Sequence, residues 1–120
     1  MKKKTTKQQE TTVSEFFIAG LVHHDFDASN GKLPRNAVLT LKAEPGNPYD
    51  ANAIEVYHGK TKLGYVPRDQ TDELHAYREA GIAVRATVKQ FARTNPTHRM
   101  VLVKVAARTT ISEISDFKSY

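Results

Sequence analysis

Asp50, Glu55 and Lys60 run in an order that suggests metal-dependent phosphodiester cleavage. In that chemistry a carboxylate, a second acid and a lysine hold a divalent ion and position water. The spacing fails, because such sites carry an acid and a lysine two residues apart on one strand. Here Tyr57 sits two after Glu55, and Lys60 falls in the turn beyond. A nuclease using Asp50 and Glu55 is therefore the alternative reading, not the leading one. The histidines offer no better metal site. His23 and His24 are adjacent, so on a strand they point to opposite faces, and His58, His75 and His98 lack ligand spacing. With no cysteine in the chain, disulfides, thiolate nucleophiles and cysteine-bound zinc are excluded. Neither a G-x-S-x-G elbow nor a G-x-x-x-x-G-K-[ST] phosphate loop occurs. No catalysis, metal or cofactor is expected.

A different chemistry is offered by Glu44 to Ile54, EPGNPYDANAI. Pro45 and Pro48 pre-set φ and stiffen the segment, and Gly46 permits an unusual turn. Asn47, Asp50 and Asn52 can bond nearby backbone, which leaves Tyr49 on a rigid platform. A fixed tyrosine is a base-stacking surface, contributing about 1–3 kcal/mol per stacked base. Asp50 beside it can accept a hydrogen bond from a sugar hydroxyl. The bland reading is a turn whose tyrosine plugs the end of a barrel, and residue types alone leave both open.

The elements that must position this loop are mostly strands. Glu15–Leu21 is aromatic and β-favouring. Ala37–Ala43 alternates, with Leu39, Leu41 and Ala43 on one face. Ile54 and Val56 mark a strand that pairs with Lys62–Val66 around Gly59-Lys60. After Pro67 the period becomes helical, with Asp69 or Thr71 as cap, Leu74 and Tyr77 as apolar stripe and Gly81 as stop. Two alternating strands follow, Val84/Ala86/Val88 and Val101/Val103/Val105, separated by a loop from Arg93 to His98. The sum is a mainly β domain with one or two short helices: a small antiparallel OB-like or SH3-like barrel of about six strands.

The chain has 120 residues and room for one core. Residues 1–12 contain four lysines against one glutamate, a +3 share of the net +5, and their only apolar residue is Met1. They read as a disordered basic tail, residues 13–108 as the folded domain, and residues 109–120 as a flexible tail. No apolar stretch follows the first lysines as a secretory signal needs, and none reaches membrane-spanning length. A soluble, cytoplasmic protein with no membrane partner is expected; oligomeric state is not legible.

The pattern E-P-x-N-P-Y-D-x-N-A-I at Glu44 to Ile54, followed by G-Y-V at Gly64 to Val66, resembles the HIRAN family. The likeness runs from about Phe16 to Val105. It implies an OB-like barrel that binds single-stranded DNA and, in helicase-linked members, captures a free 3′-hydroxyl end in support of DNA repair or processing. Carried over by position, Tyr49 flanks the terminal nucleotide and Asp50 accepts from the 3′-hydroxyl. Asn47 supports the turn or reaches a phosphate. Tyr65 faces the same groove, Arg68 lies near the backbone, and Phe91 is an aromatic on the loop after the fifth strand. Helicase-linked members place a basic residue and an aromatic after the first strand's Gly-Leu; this chain has Val22 and His23 there. General single-strand binding is thus expected ahead of end capture. The implied partners are single-stranded nucleic acid, DNA first, and a helicase or nuclease. A barrel that holds a protein segment in the same groove is the remaining alternative.

Overall fold

The computed structural model describes residues 4–20, 33–95 and 98–114, with side-chain surroundings at 9–20, 33–91 and 100–108. The elements are β1 (Lys4–Phe17), β2 (Val38–Ala43), β3 (Ile54–His58), β4 (Thr61–Tyr65), α1 (Arg68–Glu79), β5 (Ala83–Asn95) and β6 (His98–Ile114). All strands pair antiparallel in one sheet of order β1-β6-β5-β2-β3-β4.

Alternation fixes which face is buried. Val101, Val103 and Val105 of β6 are fully buried, as are Val88 of β5, Val56 of β3 and Leu63 of β4. Phe16, Ile18, Leu33, Leu39, Ile54, Val66, Leu74 and Ala86 complete the core. Burying each of the valine, leucine, isoleucine and phenylalanine side chains stabilises by about 1.5–3 kcal/mol. The sheet is not closed by a full ladder. One bridge brings its two outer strands together, with Ala19 N–H donating to Tyr65 O at 2.8 Å and Tyr65 N–H to Ala19 O at 2.9 Å. The result is a partly open barrel.

The helix packs through Leu74 and is tied to β1 by the buried Ser14 hydroxyl, which donates to Gln70 Oε1 at 2.6 Å. Its start differs from the sequence reading. Neither Asp69 nor Thr71 caps it; Pro67 occupies the cap with no side-chain bond, and Thr71 lies inside, donating to Arg68 O. Proline's fixed φ suits a helix entrance, and its missing N–H would find no partner there anyway. The stop at Gly81 is as expected. At φ +75 it donates to Arg78 O while Ile82 N–H reaches Tyr77 O, satisfying two end carbonyls.

Two boundaries also differ. β1 begins at Lys4 and pairs up to Ile114 of β6, so strand runs through parts of the segments read as tails. Composition argues from burial, whereas a ladder satisfies backbone groups between polar segments, and threonine suits it. Likewise Arg93, Asn95 and His98 lie in β5 and β6 rather than in a loop.

Candidate functional site

β2 and β3 form a hairpin whose long connection, residues 44–53, is closed at its base by Glu44 N–H donating to Ala53 O at 2.9 Å. Within it one turn is closed by Asn47 N–H to Glu44 O and another by Ala53 N–H to Asp50 O. Asn47 is the organising side chain. Its Oδ1 accepts from Tyr49 N–H at 2.8 Å and from Asp50 N–H at 3.0 Å, and its Nδ2 donates to Glu44 Oε1 at 2.6 Å. Of the two roles open to Asn47, bracing the turn is the one its contacts fill. Gly46 does not use its left-handed freedom, contrary to the sequence reading; prolines and the Asn47 bonds suffice.

Tyr49 stands at the apex, 86% exposed. Asp50 is half-buried, with Oδ1 accepting from Asn52 N–H at 2.9 Å and Oδ2 3.7 Å from Arg68 Nε. The exposed Arg68 also donates to Tyr49 O at 3.4 Å. A cleft of about 300 Å³ is lined by Asn47, Tyr49, Asp50, Tyr65 and Arg68, with Ala19, Gly20, Ala53, Val66 and Pro67 as its apolar wall. The bridge between Ala19 and Tyr65 supplies that wall.

Five of the residues singled out from sequence therefore share one cleft. Phe91 does not join them. It lies within β5, half-buried against the core, and lines a separate depression with Leu33, Arg35, Lys89 and Gln90. A bulge between Val88 and Gln90 shifts the alternation by one and turns Phe91 inward, opposite Val101. His23 and Val22 lie outside the described residues. Away from the cleft, Arg85 Nη1 lies 3.9 Å from Glu10 Oε2 and Lys89 Nζ 2.9 Å from Glu15 Oε2, so both cations are paired. A second groove of about 330 Å³ opens elsewhere, between β2, β5 and the end of α1.

Sequence reasoning missed the network beneath the loop. Glu55 is buried, and its carboxylate accepts from the Tyr57 hydroxyl at 2.8 Å and pairs with Lys62 Nζ at 3.0 Å. Lys62 also donates to the Tyr65 hydroxyl at 2.8 Å, and that hydroxyl donates to Glu44 Oε1 at 3.0 Å. The signal available was only the pairing of β3 with β4, which sets Tyr57 opposite Lys62 and Glu55 opposite Tyr65.

The Asn47 hydrogen bond holds the Glu44 carboxyl below its ordinary value; partial burial opposes this, and Tyr65 and Lys62 assist it. Burial alone would lower Lys62, but its bonds to Tyr65 and Glu55 outweigh that and raise it. The Glu55 bond raises Tyr57. A depressed carboxyl stabilises the fold above its unfolded value and stops doing so as pH falls through its folded one. A raised lysine or tyrosine stabilises below its unfolded value, and that contribution is lost as pH climbs through the folded one. The melting temperature should thus hold near neutrality and fall below about pH 4 and above about pH 10. Glu44→Gln should flatten the acid limb alone. Thermal melts across that range check this, and an unchanged acid limb in Glu44→Gln counts against it.

The HIRAN domain model matches residues 12–106. The chain belongs to the HIRAN domain family. That HIRAN domain resembles the crystal structure of the HIRAN domain of human HLTF at TM-score 0.64 and 17% identity, over 84% of this chain and 78% of that one. It also resembles a protein from Lactobacillus plantarum at TM-score 0.71 and 21% identity, over 85% of this chain and 98% of that one. No curated protein matches it. These likenesses carry the fold. HIRAN domains are DNA-binding modules, and membership of the family is consistent with a nucleic-acid partner. Among the described residues no helix is long and apolar enough to cross a membrane.

Proposed function

We propose that this HIRAN domain binds the end of a single-stranded nucleic acid, DNA first, in the cleft beside the 44–53 loop. The observation that carries the reading is Tyr49, almost wholly exposed on backbone that its neighbours tie down. A held aromatic stacks a base without first losing the freedom to move. Asp50 receives the terminal 3′-hydroxyl. A carboxylate repels phosphate, so its place here suits a sugar end, with Arg68 at 3.7 Å offsetting the charge. The ring of Tyr65 and the wall of Ala19, Gly20 and Val66 enclose the nucleoside.

The domain binds and does not cleave. Glu55, the acid a nuclease needs beside Asp50, is committed to Tyr57 and Lys62. In the cell such a module would bring a helicase or nuclease to free ends during DNA repair or processing.

The test is a titration of the protein with oligonucleotides ending in 3′-hydroxyl, 3′-phosphate or blunt duplex, with magnesium added in a parallel series. The 3′-hydroxyl strand should bind about tenfold more tightly than the 3′-phosphate strand, as expected when a half-buried acceptor loses its donor and meets a like charge. Affinity should fall with rising salt. Equal binding of the two strands removes the role given to Asp50, and cleavage with magnesium removes the assignment as a pure binding module.

A further inference from the structure

We propose that Glu44 is the positioning residue of the binding loop: through Asn47 it sets how Tyr49 and Asp50 are presented, without touching the ligand itself. Only the binding arm of this inference rests on the nucleic-acid reading; the loop geometry stands apart from it.

The argument begins with the ambiguity of an asparagine side chain. Its amide can turn over, exchanging a carbonyl acceptor for an NH2 donor at nearly the same shape. Tyr49 N–H and Asp50 N–H both need the oxygen, and an NH2 in that place would face two donors with no acceptor. The other end of the amide acts in the same sense. Asn47 Nδ2 donates to Glu44 Oε1 at 2.6 Å, so the turned-over form would set carbonyl against carboxylate. Glu44 therefore locks the form in which both loop amides are bonded, adding its own bond to theirs.

Glu44 is itself held from below. Tyr65 donates to Oε1 at 3.0 Å, and Lys62 Nζ lies 3.8 Å from Oε2. Lys62 sits 4.4 Å from the centre of the Tyr65 ring and reaches the buried Glu55 at 3.0 Å. A continuous set of bonds thus runs from Glu55 inside the sheet to the loop apex. The Tyr65 hydroxyl gives its one proton to Glu44 and accepts from Lys62, so Tyr65 offers the cleft its ring.

Glu44→Ala removes the acceptor, whereas Glu44→Gln keeps an oxygen for Asn47 and Tyr65. Solvent exchange of the Tyr49 and Asp50 amides, followed by NMR on the whole labelled chain, should quicken about tenfold in Glu44→Ala, as for a lost hydrogen bond. Exchange at Val88 and Val103 should stay at the wild-type rate. Affinity for the 3′-hydroxyl oligonucleotide should drop about tenfold in Glu44→Ala and return to within about threefold in Glu44→Gln. Unchanged exchange at the two loop amides overturns the proposal, as does a rise spread equally over the whole sheet. If the loop amides alone quicken but no form of the protein binds oligonucleotide, the positioning role stands and the nucleic-acid reading fails.

Discussion

Tyr49→Ala is expected to weaken binding of a single-stranded oligonucleotide by about 10- to 100-fold, the equivalent of one lost stacking contact of about 1–3 kcal/mol. The folded domain should barely register the change. At 86% exposure the ring contributes little to the core, so stability should move by no more than about 0.5 kcal/mol. The Asn47 bonds to the Tyr49 and Asp50 amides involve the backbone of residue 49, not its ring, and survive the substitution. That separation makes the experiment decisive: a loss of affinity at constant melting temperature can come only from the ring. Tyr49→Phe should bind within about threefold of wild type, because stacking uses the ring face and needs no hydroxyl. Equal affinity of Tyr49→Ala and wild type in a fluorescence-anisotropy titration would falsify the stacking role. A loss shared by Tyr49→Phe would move the role from the ring to the hydroxyl.

What could be read from the sequence was what local chemistry controls. Period-two runs of branched residues located β5 and β6, because one face of each is buried and a slip of one residue would expose it. The loop was equally legible. Two prolines and an asparagine whose carbonyl reaches residues two and three ahead are local devices, and they predict a held tyrosine before any tertiary contact is known. Phe91 escaped because one bulge reverses the alternation beyond it, and a bulge leaves no mark in a hydrophobic pattern. The Glu44–Lys62–Glu55 network escaped for a different reason. Its members are separated in sequence and meet only through the registers of β2 with β3 and β3 with β4. Glu55 was noticed as an acid, but only its neighbours in space decide that it is structural. The ends of the sheet were hidden too, since pairing between two polar threonine-containing segments gives no burial signal.

The closure that builds the cleft wall depends on Gly64, and Gly64→Ala should destabilise the protein by about 3 kcal/mol, the upper part of the range for overpacking a filled interior. A Cβ at this position would run into the carbonyl oxygen of Ala19 and come within 2.7 Å of Ile18 Cγ2. A flexible side chain could swing away; this carbonyl cannot, because it accepts Tyr65 N–H at 2.9 Å while Ala19 N–H donates to Tyr65 O. Relief therefore requires breaking the bridge or moving the buried Ile18. Either opens the barrel where its two outer strands meet and draws Ala19 and Gly20 away from Tyr49 and Asp50. The melting temperature should fall by roughly 10–20 °C, and oligonucleotide affinity should fall even at temperatures where the variant is folded. Gly46→Ala is the matched control: a Cβ there meets nothing within 4 Å, so its melting temperature should stay within about 2 °C of wild type. If Gly64→Ala melts as late as Gly46→Ala, the strand end carrying Ala19 is free to retreat, and the cleft is not walled by the fold but only by whatever it binds.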